Sequence, residues 1–437
     1  MGLPISKINI ALRTASASRA GFGTPMFIAS HKAYFSRTQV FTGVDGAADS
    51  FSTSHAAYKA VQGMYSNTPS VDKMIVGRRD CPSVTLTPEA ASAGKVYSVK
   101  VTLEDASTVT AQFVATGSES ATDIVTDILA DLTSLTDISL SGTTTVDIAD
   151  DTQKCTVTEI TGFTELYTST ETATDALTAI REENDDFYFV MAEDHTETFV
   201  LALAAAVQSL EKLYFVSLET TGDLSAAYSA AGTSIAAQLV TLNYNRTVMV
   251  WDRSADDVYS EANFVGVNAP YSPDRRAVVW DGRELAGVAL ATNTSGNALT
   301  TTQQINLESY NYNFTVNTSL GVRIIGGKTV NGTWIDEMRI RDCITARVRE
   351  ALDTLILNQA GSKLVGGARG VALCKGAVEK ALTPFIGSNA LSSFTVFIDN
   401  ATIDPVTRTV SGIEFEAVLQ GAILRAVVDG TLVNEEV

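Results

Sequence analysis

Gly326, Gly327, Lys328 and Thr329 follow the apolar stretch "GVRII", and a Gly-Lys-Thr after a strand is the residue set that cradles phosphates in nucleotide-driven proteins. That chemistry needs G-x-x-x-x-G-K-[ST], because the backbone N–H groups between the glycines curl around the phosphates and a helix opens directly afterwards. Counting back from Gly327, the required position holds Val322, and Gly321 lies one residue too far. Asn331-Gly332 then gives a hairpin signal where the helix should start. The spacing predicts a structural turn.

Acid/base chemistry has one candidate, His195 beside Glu193 and Asp194, but no nucleophile motif accompanies it and the group reads as a solvated loop. The other two histidines are His31 and His55, and the chain has no G-x-S-x-G elbow and no H-E-x-x-H helix. Asp147, Asp150 and Asp151 lack the glycine and terminal glutamate of a calcium loop and read as a solvated turn. Cys81, Cys155, Cys343 and Cys374 are scattered, without C-x-x-C or zinc-type pairing, and read as reduced, packed thiols. No catalytic residue, cofactor-binding residue or metal ligand is assigned. Weight moves to a binding or assembly role.

The 437 residues, 45% hydrophobic and 19% charged, describe an ordinary globular chain long enough for two or three domains. A net charge of −19 repels nucleic-acid phosphates and anionic membranes, so neither is an expected partner. The start "MGLPISKINI" carries no secretory pattern, and no apolar run is long enough for a membrane span. Synthesis and folding in a cytoplasm are expected.

The elements that must position any function fall into six segments. Residues 1–22 hold an isolated amphipathic strand, "SKINIALR", with Ile8, Ile10 and Leu12 on one face, on a small-residue tether. Such a strand has unpaired edges and must join a sheet, in its own chain or a neighbour's. Residues 23–83 begin a core domain with the buried run "MFIAS", a helix capped by Ser54, and the strand "VDKMIVG". Residues 84–170 turn Thr- and Ser-rich and read as an inserted, outward-facing β-rich α+β domain: a hairpin, a helix with a Ser120–Asp123 capping box, and further short strands. Residues 171–320 alternate helices with the apolar strands "FYFVMA", "LYFVSL" and "TVMVWD", the pattern of a parallel sheet covered by helices.

Residues 321–420 return to the core domain, with two helices and a run of strands. The longer helix carries the stripe Ile340, Ile344, Val348, Leu352 and Leu355. In residues 421–437 the apolar phase shifts at Gly421, so that Ile423 and Val427 fall opposite Leu424 and Val428, which reads as a second detachable strand. The expected class is α/β: a helix-covered, mostly parallel sheet built from both chain ends, an inserted β-rich α+β domain, and extended terminal strands.

The stretches "GFGTPMFIASH", "SFSTSHAAYKAVQGMYSNTPSVDKMIVGRR", "GGKTVNGTWIDEMRIRDCITARVREAL" and "GIEFEAVLQGAILRAVVDG" resemble the tail sheath proteins of contractile bacteriophages. Those families commonly read Gly-x-Arg-Thr where this chain has Lys328 in the basic position. The resemblance implies a virion tail protein, assembled in the host cytoplasm. It would polymerise with itself as stacked hexamers around a tail tube protein, meet baseplate and tail terminator proteins, and contract to drive the tube through an envelope. It also implies arm strands that join neighbouring sheets, here Ile8, Ile10 and Leu12 at one end and Ile423, Leu424, Val427 and Val428 at the other. Tube contact falls to one of two helices, bearing either Arg339, Arg347 and Arg349 or Lys375 and Lys380. A capsid or adhesin subunit, or an α/β enzyme with an unrecognised site, are the other readings.

Overall fold

The computed structural model describes residues 22–358, 368–398, 401–404 and 409–422. Both arm strands, with Ile8, Ile10, Leu12, Ile423, Leu424, Val427 and Val428, lie outside these described residues. The fold is mixed α/β, with one six-stranded mixed sheet and several smaller ones. Across the large sheet the order is Thr247–Trp251, Leu213–Leu218, Phe189–Ala192, Pro25–Ser30, Met74–Arg79 and Thr38–Phe41. Only the last strand runs antiparallel to its neighbour.

The apolar strands explain this arrangement. Pro25–Ser30, Phe189–Ala192, Leu213–Leu218 and Thr247–Trp251 are buried at every position, so both of their faces need cover. One face, with Met26, Ile28, Val190, Val216 and Met249, packs on helices Ala173–Glu183, Glu197–Gln208 and Ile235–Leu242 through Leu177, Ile180, Leu203, Val207 and Leu239. The opposite face sets Phe27 edge-on to Tyr259 at 5.3 Å and Phe215 to Phe264 at 6.0 Å. Helices Ala56–Tyr65 and Ser260–Asn268 cover this second face. They approach so closely that a Cβ on Gly266 would lie 2.5 Å from the Met64 carbonyl oxygen. Each aliphatic or aromatic side chain buried here contributes about 1.5–3 kcal/mol.

The sheet joins strands from two of the expected segments. Its strands come from residues 25–79 and 189–251 together, with Met26 beside Ile75 on one side and Val190 on the other. Among the described residues, none of its strands comes from the last third of the chain. Two strands from the first segment, buried on both faces, cannot form a sheet alone. They complete themselves with the apolar strands of the βαβ segment rather than with the carboxyl-terminal third. The helix after them is capped by His55, whose Nδ1 accepts from the Ala57 N–H at 3.0 Å, and not by Ser54.

Between Met74–Arg79 and Ala173–Glu183 the chain builds a module with its own apolar core, including Val84, Tyr97, Val99, Val101, Ile124, Ile128, Leu132, Ile148 and Val157. Its strands form a four-stranded and a three-stranded sheet, both antiparallel. Val96–Leu103 alternates half-exposed and buried residues, which is why this segment reads Thr- and Ser-rich. Helix Ala121–Leu132 starts with both bonds of the Ser120–Asp123 capping box. Asp147 and Asp150 lie on a strand rather than in a solvated turn: Asp147 accepts from Thr85 Oγ1 at 2.6 Å and Asp150 from Lys32 Nζ at 2.6 Å.

The chain divides into two compact units, and the second comprises residues 273–281 and the segment from Arg339 onward. Within it the helix that opens at Ile335 buries Ile340, Cys343 and Ile344 along its first half, whereas Val348, Leu352 and Leu355 are half-exposed. Helix Ala368–Gly387 buries Val371, Cys374, Val378, Leu382 and Phe385 and packs on Leu391–Phe397. It runs past Pro384, which has no N–H to donate to the turn before it. Leu391–Phe397 pairs antiparallel with Glu414–Leu419.

Candidate functional site

The glycine-rich loop is occupied by its own protein. Strands Phe314–Thr318 and Gly321–Ile325 form a hairpin, and the backbone at Asn313 continues the edge of the large sheet beside Val250. From that position the fully buried Asn313 side chain reaches into the loop. Its Oδ1 accepts from the N–H groups of Gly327 at 2.6 Å and Lys328 at 3.2 Å, while its Nδ2 donates to the carbonyls of Met249 and Lys328. Gly326 has φ +129°, and a Cβ there would lie 2.6 Å from Asn313 Oδ1. The amides that would face a phosphate are therefore bonded to an asparagine.

Lys328 lays its ammonium 4.9 Å over the Trp334 ring, and Thr329 N–H donates to Thr333 O at 2.9 Å to close the Asn331-Gly332 turn. This is the structural turn that the spacing predicts. Sequence reasoning had no route to Asn313, which stands well before the loop in an ordinary-looking "NYNF".

Ligands of open parallel sheets usually sit at the carboxyl ends of the strands. Here Glu193, Asp194 and Asp252, at those ends, are taken up by bonds within the chain. Glu193 Oε1 accepts from the Ser30 N–H at 2.5 Å, and burial pushes its pKa up to about 7. Asp194 pairs with Arg79 at 2.8 Å, and Asp252 accepts from Ser254 N–H at 2.8 Å. The His195 ring lies 3.6 Å from Glu261, whose carboxylate also accepts from Ser217 Oγ, and Glu261 is fully buried. The group expected to be a solvated loop is thus a packed polar layer between sheet and helix. A cavity of about 100 Å³ lies beside Trp251 and Asp252. Among the described residues no group of His, Cys, Asp and Glu could hold a metal ion, and no helix is long and apolar enough to cross a membrane.

The candidate tube-contact cations separate by burial. Arg339 is buried, with its guanidinium 5.4 Å over the Trp280 ring. Arg347 is held by Asp274 and Glu350, each at 2.8 Å. Arg349 is half-buried, Lys375 lies 3.7 Å from Glu379, and Lys380 is exposed. On the strand pair Leu391–Phe397 and Glu414–Leu419 the inward face carries Val396, Phe415, Phe394 and Ala417, and the outer face exposes Phe397 (40%) and Val418 (51%). Among the described residues neither strand has a further partner.

This architecture is shared with solved structures of a helical sheath and a baseplate. The chain is similar to the anti-feeding prophage helical sheath in its contracted state, with a TM-score of 0.50 and 11% identity over 98% of this chain and 99% of that one. A chain of the contracted anti-feeding prophage baseplate matches with the same score and identity over 99% of both. The sheath tail protein of Listeria innocua matches at TM-score 0.45 and 14% identity, over 93% of this chain and 97% of that one. Neither family profiles nor curated protein sequences give a match.

Proposed function

We propose that this chain is the sheath subunit of a contractile tail, a structural protein that polymerises around an inner tube and contracts to drive that tube through a cell envelope. The observation that carries this reading is the likeness to a helical sheath along nearly the whole length of both chains. Its partners would be copies of itself in stacked hexamers, a tail tube protein, and baseplate and tail terminator proteins. Its place would be the virion tail, assembled in the host cytoplasm. Arg349, Lys375 and Lys380 remain the cations suited to the tube.

The strand pair Leu391–Phe397 and Glu414–Leu419 supports the linkage by arms, because an antiparallel pair whose outer edges have no partner among the described residues accepts further strands. A segment of about six residues added there gains roughly 0.5–1.5 kcal/mol per backbone hydrogen bond, less the cost of ordering it. Repeated through a lattice, such links keep subunits joined while they rotate between two packings. The work would come from a metastable assembled state, with no nucleotide consumed.

Negative-stain microscopy of the purified chain tests this. The full chain is expected to form tubes, and deletion of residues 2–15 should leave a folded subunit, with unchanged circular dichroism, that forms none. Small closed oligomers of the full chain would overturn the sheath reading, and tubes persisting after the deletion would overturn the role of the arm.

A further inference from the structure

All three histidines of the chain lie at the carboxyl edge of the large sheet, and two of them stand where the inserted module leaves it. His31, fully buried, follows the central strand Pro25–Ser30, and its Nδ1 accepts from the Ala33 N–H at 3.2 Å. That bond fixes a turn whose middle residue is Lys32. Lys32 is the bolt of the module: its Nζ reaches Asp150 at 2.6 Å and the Cys81 carbonyl at 2.9 Å, and its own carbonyl accepts from the Val157 N–H at 2.7 Å. His55 caps helix Ala56–Tyr65 through Nδ1, donates from Nε2 to Ser30 O at 3.3 Å, and meets the Tyr167 ring of the module at 5.3 Å. The two imidazoles are 6.2 Å apart with Phe51 against both.

An Nδ1 that accepts from a backbone N–H has no proton, so each ring is held neutral by geometry. Protonation turns each acceptor into a donor facing a donor, and sets two positive charges side by side in a buried pocket. We propose that this junction is an acid-sensitive clasp: protonation of His31 and His55 breaks the turn that carries Lys32 and the cap of helix Ala56–Tyr65, and loosens the inserted module from the sheet.

The surrounding charges support the direction. Burial, the other histidine and Arg78 all hold His31 well below the usual histidine range. Burial lowers His55 as well, helped by Lys59 and opposed by Glu165 and the Ser30 carbonyl. A histidine lowered in the folded state contributes stability that is complete above about pH 6.5 and is lost as pH falls through that value. Glu193, raised to about 7, acts with the opposite sign: its contribution is complete below the usual glutamate range and fades as pH rises through 7. It bonds the Ser30 N–H, on the residue before His31 whose carbonyl His55 meets, so it is the asparagine variants, which leave Glu193 in place, that separate it from the histidines.

Hydrogen exchange of the full chain at pH 7.5 and pH 5.0, corrected for intrinsic rates, provides that readout at the amides of Ala33, Ala57 and Val157. Protection at these positions is expected to fall at least tenfold in acid, with the parallel strands unchanged. In the double variant His31→Asn and His55→Asn, whose side-chain oxygens keep both acceptors but do not titrate, the fall should be under twofold. His55→Asn alone serves if the double variant does not fold, and should abolish the loss at Ala57 only. Unchanged protection of the natural chain at pH 5.0, or an equal fall in the asparagine variants, overturns the clasp.

Discussion

Asn313→Leu will lower the melting midpoint of the chain by roughly 10 °C. Leucine fits the space but makes none of the four bonds to Gly327, Lys328 and Met249. The Gly327 amide, buried with its partner, is then left without an acceptor, and an unsatisfied buried group costs about 1–3 kcal/mol. With two amides affected the loss comes to about 4 kcal/mol, and each kcal/mol moves the midpoint by about 2–4 °C in a domain of this size. Differential scanning calorimetry reads it. Asn313→Asp gives a second reading: it keeps the acceptor to both amides but sets its other oxygen against the Met249 and Lys328 carbonyls in a buried site, so its cost should rise with pH as the carboxyl ionises. If leucine and aspartate are equally mild, the loop is held by the Thr329–Thr333 and Val330–Thr247 backbone bonds instead, and the account of the glycine motif is wrong.

The contrast between Asn313 and the loop it fills shows what a linear reading can reach. The Gly-Lys-Thr spacing rules out a phosphate cradle from counting alone, because that cradle is a local backbone shape. What replaces the phosphate is a side chain from another segment, and no local pattern points to it. The same division runs through the fold. The parallel strands are legible, since "MFIAS", "LYFVSL" and "TVMVW" are apolar without alternation, and so is the module's capping box, since both its partners lie within one turn. Which segments share a sheet is not legible: Pro25–Ser30 looks equally able to pair with any apolar strand, and its choice of Phe189–Ala192 is fixed by tertiary packing.

The surface charges divide in the same way. Arg339 and Lys380 look alike as cations on amphipathic helices, yet Arg339 lies over Trp280 and Lys380 is exposed. The aromatic ring that decides between them comes from a distant loop. Likewise Glu193, Asp194 and His195 read as an acidic, solvated strand end, but burial against Ser30, Arg79 and Glu261 turns them into structural groups.

Lys32→Met carries the second large effect, and its outcome decides how the inserted module is held. Methionine keeps much of the apolar stem but takes away the charge that faces Asp150, and the Lys32 side chain is 2% exposed against 18% for Asp150. Breaking one side of a mostly buried ion pair strands the other charge and costs about 3–5 kcal/mol, far more than an exposed pair would. The Cys81 and Pro82 carbonyls lose a donor at the same time, so the damage falls on the residues that lead into the module. Limited proteolysis should therefore cut the variant near residues 80–83 or 168–171 at least tenfold faster than the natural chain, while the parallel sheet stays intact. The companion Lys32→Met with Asp150→Leu removes both charges, and apolar replacement of a buried pair is often neutral. Rescue in the double variant identifies the stranded Asp150 carboxylate as the source of the damage. A double variant as labile as Lys32→Met would instead put the lost energy in the bonds to Cys81 and Pro82 or in the Cys155 N–H, which donates to Asp150 Oδ1 at 3.0 Å and loses that acceptor with it. No change in Lys32→Met itself would mean that the module is held by the packing around Val157 and Tyr167, and that the lysine is incidental.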